Sequence, residues 1–394
     1  MEQSLSYVLV TPYTIAKSRT GGVLARLLSR SDMELVSAQM FAPDEQFISD
    51  YVSLIRDHDD GDDDKTKEML ASYVENQLAP SQGRRHRTLL FVFRGVDPCP
   101  KLSEIVGPLH PERRNIESLT GENIRDTYAD LIIDNDHITY FEPAVLTPRH
   151  QHTADLHLKL FSSFLEKEEN IVSNMTYPKS AQIEKSLVII KPDNWRYASS
   201  KPGTIMDMFS RTGLRIVGVK VHRMSVSEAL EFYGPVEDAL KEKLSPIFGK
   251  KAKEFLEEHF HIALNENTEQ ALIESVGREY AFDQFEQIVE FMSGRRPSQV
   301  PVEELSLPGT VKCMILVYEG EHAIQRIRDV LGPTDPLKAP GGTIRREFGS
   351  NVMVNTAHAS DSPESATREM NVVKFHKNNT TEVITSYLHL KESE

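Results

Sequence analysis

The sequence repeats itself, and no other feature of it constrains the fold as strongly. From Ser6 the chain reads SYVLVTPYTIAKSRTGGVLARLLSRSDMELVSAQMF, and from Ser186 it reads SLVIIKPDNWRYASSKPGTIMDMFSRTGLRIVGVKVH. With a one-residue gap, Ser29-Arg30 falls on Ser210-Arg211. Each copy runs from a short apolar stretch through a Pro and a polar, Gly-containing loop to an amphipathic stretch and a second alternating run. That is the pattern of strand, loop, helix and strand. LLFVFRG (Leu89–Gly95) then parallels MILVYEG (Met314–Gly320), VGPLHP (Val106–Pro111) parallels LGPTDP (Leu331–Pro336), and ENIR (Glu122–Arg125) parallels GTIR (Gly342–Arg345). Chance can produce any one of these matches. All of them in one order, at a spacing of roughly 180 to 225 residues, describe a duplicated domain. The copies are expected at 1–166 and 186–394, joined by a polar, Pro-containing linker at 167–185. Insertions are expected at 235–283, rich in Glu, Lys and Leu at helical spacing and read as added helices near the mouth of a site, and at 295–307, read as a loop.

The chain has 394 residues, a length that fits two domains. Its formal net charge of −14 argues against general binding to nucleic acid or to anionic membranes, although an anionic substrate needs only one basic pocket. The acidic run Asp57–Lys65 reads as a solvated loop. Two distant cysteines, Cys99 and Cys313, form neither a disulfide framework nor a metal cluster. The first residues lack the basic start and apolar run of a signal peptide, and no apolar stretch reaches the length of a membrane helix. The expectation is a soluble, cytoplasmic protein.

The segment Asn355–Met370, NTAHASDSPESATREM, carries the most chemistry. Ser362 suits an N-cap and Pro363 the first helical turn, so a helix is expected just after His358. The free N–H groups of a helix start favour a phosphate nearby. Glu369 then falls two turns into the helix, where a carboxylate can hold one imidazole nitrogen and leave the other to attack.

N-x-x-H-A-S-D-S resembles the active-site signature of nucleoside diphosphate kinases. IIKPD (Ile189–Asp193) resembles that family's first-strand motif, LGPTDP its LG-x-T-[ND]-P segment, and GGTIRREF (Gly341–Phe348) its PGTIR-x-[DE]-F segment. The likeness is strong over about 186–375 and weak over 6–161. It implies two ferredoxin-like βαββαβ domains, each a four-stranded antiparallel sheet covered by helices. It also implies a ping-pong transfer of the γ-phosphate of a nucleoside triphosphate to a nucleoside diphosphate through His358. Glu369 would orient His358, and Ser360 would bond near it. Lys191, Arg328, Thr334 and Arg345 would hold phosphate oxygens, with Arg326 a close competitor for Arg328. Asn355 and Lys191 would meet the sugar hydroxyl, and Tyr233 would line the site. Mg²⁺ would arrive on the phosphates instead of in a protein cage. Asp361 reads as a structural cap.

The base-stacking Phe of the family falls on Gln284 here, with Phe282 as a possible substitute, and the 235–283 insertion stands where the nucleotide lid belongs. The first copy reads as catalytically dead. Thr11 replaces Lys191, Leu109 replaces Thr334, Ser103 replaces Arg328, the His358 position falls near Pro143, and Arg125 alone echoes Arg345. His150, His152 and His157 read as part of a polar helix and not as a metal site. The two copies are expected to form a pseudo-dimer within one chain, with further homo-oligomers open. The competing readings are a nucleotide-binding regulatory or scaffold protein with little turnover, and a donor of phosphate from His358 to another protein.

Overall fold

The computed structural model describes residues 3–109, 123–134, 137–174 and 176–392. His110 and Pro111 of VGPLHP, and Glu122 of ENIR, lie outside these residues. The described chain falls into two compact units, 1–221 with 314–370 and 374–394, and 222–313 with 371–373.

The larger unit holds both copies of the repeat. The first contains β1 (Ser4–Val10), α1 (Pro12–Ala16), α2 (Thr20–Ser29), β2 (Glu34–Phe41), α3 (Glu45–Asp57), α4 (Asp64–Gln77), β3 (Thr88–Gly95) and α5 (Pro98–Val106). It continues with α6 (Ile124–Tyr128), a hairpin of β4 (Asp130–Asp134) and β5 (His137–Glu142), β6 (Val145–Leu146) and α7 (Gln151–Leu165). The second copy begins with β7 (Ile183–Ile190), α8 (Lys201–Ser210) and β8 (Arg215–His222). The chain then passes through α9 (Val226–Phe260), α10 (Glu266–Leu272) and α11 (Arg278–Ser293). It ends with β9 (Cys313–Glu321), α12 (Ala323–Leu331), α13 (Ile344–Phe348), β10 (Ala357–Ala359), α14 (Pro363–Val372) and α15 (Thr380–Glu392).

The two main sheets have the same topology. Their strand orders are β2-β3-β1-β6 and β10-β7-β9-β8, which in chain order is fourth, first, third, second in both. This is the antiparallel, ferredoxin-like βαββαβ arrangement. The central strands are buried on both faces. In β1, Val8 and Val10 enter one apolar cluster while Leu5, Tyr7 and Leu9 enter another. A strand covered on both sides reads as a continuous apolar run, and SYVLV and SLVII have that form.

The copies share a core. The cluster that takes Val8 and Phe91 from the first also takes Val188, Ile190 and Phe209 from the second. Helices α2 and α8 meet backbone to backbone at two glycines. A Cβ on Gly203 would overlap Ala25 N and Gly21 O, and one on Gly21 would overlap Asp207 N. Helix α15 crosses to the first copy, where Ile384 joins the cluster of Leu158 and Phe161 and Tyr387 donates to Asp155 at 3.0 Å. Around its start, Asn378 Nδ2 donates to Ala38 O at 2.9 Å, and Thr380 Oγ1 lies 2.7 Å from Ser37 Oγ.

The smaller unit holds the expected insertions. Helix α9 starts on a capping box of Ser225 and Glu228 and runs through Pro235 and Pro246. It packs along α11 and the turn Ile273–Gly277 before it, with Gly277 against Ser245 O, Gly249 against Ile273 and Phe248 stacked on Tyr280 at 3.7 Å. Residues 235–283 are therefore mainly helical, and 295–307 form short 3-10 turns. Among the described residues, no helix is long and apolar enough to cross a membrane.

The glycine contact gives a stability prediction. Gly203→Ala should cost about 1–3 kcal/mol, because two helix backbones would have to part. Gly234→Ala, with open space around its Cβ, should be neutral or stabilise α9 by about 0.5–1 kcal/mol. Urea unfolding of both variants checks the pair, and equal effects would remove the close-approach argument.

Candidate active site

The site is built where the last strand of the second copy pairs with the first. Ala357, His358 and Ala359 lie opposite Ile190, Ile189 and Val188. The turn before β10 is a γ-turn: Ala357 N donates to Asn355 O at 2.8 Å and Thr356 has a φ of 75°. This conformation is rare for any residue and more so for a β-branched one. It is held because Thr356 O accepts from Lys191 N at 3.0 Å and from Asn194 Nδ2 at 2.7 Å. The turn brings Lys191 and Asn355 together.

Beyond His358 the chain enters α14. Ser362 Oγ accepts from Ser365 N at 3.0 Å, which makes Ser362 the helix cap. Glu369 lies two turns in and is buried. One carboxylate oxygen lies 3.0 Å from His358 Nε2, and the other accepts from Ser360 Oγ at 2.6 Å. Ser360 is itself fixed to β7, because its N–H donates to Leu187 O at 3.0 Å. With Nε2–H donating to Glu369, the lone pair of a neutral ring sits on Nδ1.

The basic groups differ in how they are held. Lys191 Nζ donates to Asn355 Oδ1 at 2.7 Å, and Asn355 Nδ2 donates to Val352 O at 2.7 Å and Thr334 O at 3.3 Å. Asn355 thus ties the lysine to the backbone that carries Thr334. Burial, then the nearby Arg345, lower the Lys191 pKa to about 8, against the opposing pull of Asp193. Arg345 donates from Nη1 to Gly332 O at 2.9 Å and from Nη2 to Ala357 O at 3.0 Å, so it braces two loops. Arg328 is exposed at the end of α12 and Thr334 is exposed after it. A hydrogen bond from Ser365 holds Asp361 below the usual carboxylate range, with smaller pulls from Arg328 and His358. Arg326 reaches the other way, to Thr212 O at 3.5 Å.

Tyr233 belongs to the smaller unit, where it is buried and packs against Phe232 with ring centroids 4.9 Å apart. Gln284 and Phe282 lie on α11 of the same unit, and Phe282 is half exposed.

Comparisons with known proteins bear on the family. A family profile described as nucleoside diphosphate kinase matches residues 248–380. The nucleoside diphosphate kinase of Bdellovibrio bacteriovorus is 30% identical over 188 residues, covering 48% of this chain and 90% of that protein. The chain belongs to the nucleoside diphosphate kinase family. The enzyme of that name from Staphylothermus marinus is 32% identical over 190 residues, covering 48% of this chain and 92% of its own. Among solved structures, the Aquifex aeolicus nucleoside diphosphate kinase is 29% identical, with a TM-score of 0.31 over 49% of this chain and 95% of that one.

The first copy of this nucleoside diphosphate kinase fold keeps the frame and replaces the chemistry. Val145 pairs with Val10 as Ala357 pairs with Ile190, so the counterpart of His358 is Leu146. The Pro143 assignment is therefore three residues out of register; Pro143 matches Asn355. The γ-turn recurs at Ala144, with φ 64° and Val145 N donating to Pro143 O at 2.8 Å. Arg125 repeats the brace of Arg345 by donating to Gly107 O and to Val145 O. Where Lys191 meets Asn355, Thr11 Oγ1 lies 2.9 Å from the buried carboxylate of Glu142, which also takes the Tyr73 hydroxyl at 2.7 Å. Six residues into α7, at the place of Glu369, stands His157, buried 2.8 Å from Tyr7 OH and held neutral by burial with a pKa of about 3.

The acidic run is more than a solvated loop. Asp60 accepts from Arg149 N at 2.9 Å and His150 N at 2.8 Å, and Asp62 pairs with Arg149 at 3.2 Å. The free N–H groups at the start of α7 explain the attraction. Composition gave no sign of this, because the partners lie some ninety residues away.

Two measurements follow. In the ligand-free protein, a dimethyl-lysine NMR signal that is lost in Lys191→Arg should titrate near pH 8. Since 8 lies below the ordinary 10.5, this group should favour folding increasingly as pH climbs between the two. A midpoint near 10.5 would contradict the burial argument. In the first copy, burial raises the Glu142 pKa despite its donors. Glu142 therefore favours folding fully below the ordinary carboxylate pKa and less as pH rises through its own. Tyr73→Phe removes a donor that the ionised form needs most, so it should destabilise by about 1–3 kcal/mol at pH near 8 and less near pH 5. Urea unfolding at the two pH values checks this.

Proposed function

We propose that the second copy is a nucleoside diphosphate kinase that carries phosphate on His358. The observation that carries this reading is the chain of bonds from Leu187 through Ser360 and Glu369 to His358 Nε2. It aims the ring from two elements and leaves the lone pair on Nδ1. In the first half-reaction Nδ1 attacks the γ-phosphorus of a nucleoside triphosphate. The bond to the bridging oxygen breaks, and the diphosphate leaves with the electron pair. The second half-reaction is the reverse, with another diphosphate as acceptor.

Phosphoryl transfer needs charge compensation more than covalent help. Lys191, Arg328 and Arg345 would supply it, with Thr334 and Asn355 as polar partners of the phosphates and sugar. Arg345 would act partly as a brace, since its bonds to Gly332 O and Ala357 O set the loop geometry. Among the described residues, no group of three His, Cys, Asp or Glu could hold a metal ion. Mg²⁺ bound to the nucleotide phosphates would neutralise charge on them. The first copy, lacking these groups, would serve as the intrachain partner that packs against α8.

The test is labelling with γ-labelled ATP. An acid-labile phosphoenzyme should form on the full chain and lose its label to added GDP or UDP. His358→Ala should form none while keeping its circular dichroism spectrum, and Glu369→Gln should label roughly 10²-fold more slowly through misplacement of the ring. A folded wild-type chain that takes no label would sink the kinase reading and leave nucleotide binding alone.

A further inference from the structure

The larger unit contains a cavity of about 410 Å³ that the phosphate chemistry does not use. It opens where the two copies meet, between the start of α2 and the turn from α8 into β8. Its size is in the range that takes a small organic molecule. Met206, Leu214 and Ile216 give it an apolar wall.

The polar wall is cationic. Arg87 and Arg215 both line the cavity, one from each copy. Arg87 donates to Ile216 O, and Arg215 lies over the Tyr177 ring at 5.4 Å. Among the described residues, neither guanidinium has a carboxylate within ion-pair distance. The acid that acts on Arg87, Glu319, is already engaged by Tyr177 OH at 3.0 Å and Lys185 at 3.3 Å. Asp207, on α8, acts on Tyr318. Burial makes Arg87 hold its proton less tightly than usual, and the like charge of Arg215 in the same cleft adds to this. Thr20 and Gly21 add the first turn of α2, whose N-cap Arg19 supplies no side-chain cap. The guanidinium pair is the principal argument, and the helix start adds to it.

We propose that this cavity is a second ligand site, for a small organic anion whose phosphate or carboxylate head lies between Arg87 and Arg215 and whose apolar body lies against Met206 and Leu214. Such a ligand would touch both copies at once and so stabilise their junction. This site does not depend on the assignment of His358.

Phenyl phosphate is a suitable probe, carrying a doubly charged head on one ring. Calorimetric titration of the full chain, with magnesium ADP saturating the other site, should show about one equivalent bound at millimolar concentrations or below. Arg215→Gln should weaken binding about tenfold or more, the loss of a charge-assisted contact. Ser210→Phe, which fills the cavity from its rim, should abolish it. If Arg215→Gln fails to fold, the Ser210→Phe result decides. No heat at millimolar probe, unchanged binding in a folded variant, or displacement by ADP would each overturn the proposal.

Discussion

The structure depends on the pairing of each copy's last strand with its first. In the second copy only three residue pairs do this, yet they place His358 beside Ile189 and aim the following helix back at it. Slipping the register by one residue would turn His358 to the other face of the sheet. The γ-turn at Thr356 sets that register, at a backbone cost of order 1–3 kcal/mol. The offsetting bonds come from Lys191 N and Asn194, so strand end, turn and candidate phosphate ligands form one assembly.

The first copy shows which parts of that assembly are architecture. It keeps the γ-turn at Ala144 and the arginine brace at Arg125, and it loses the lysine, the histidine and the glutamate. An ammonium group held by an amide gives way to a carboxylate held by Tyr73 and Thr11. The acidic segment adds to the change, since Asp60 and Asp62 occupy the start of α7 where an anion could otherwise sit. The copy remains useful as packing: Gly21 and Gly203 let two helices approach more closely than any side chain would allow.

Much of this was legible in the sequence because its signals are local. Apolar runs marked the strands, Ser362-Pro363 marked the start of α14, and the distance from His358 to Glu369 is two helical turns. The repeat itself announced a second sheet of the same order. The sequence places the counterpart of His358 only near Pro143, because that residue is an apolar Leu146, which carries no chemical signature. Its position follows from strand pairing, or from counting back from Gln151, and a search for a histidine finds neither.

By itself the sequence determined the duplicated fold, the family, the candidate nucleophile and the absence of the signature residues from the first copy. Each of these is written in residue types at fixed short spacing. Only the tertiary structure decided that Arg328 and not Arg326 stands near Asp361, that Arg345 doubles as a brace, and that Glu142 meets Thr11 where the second copy has its lysine and asparagine. It alone placed Arg87 beside Arg215 across the junction. The physical reason is common to all four: these contacts join separate segments of the chain, through backbone carbonyls and charged groups whose meeting has no sequence pattern.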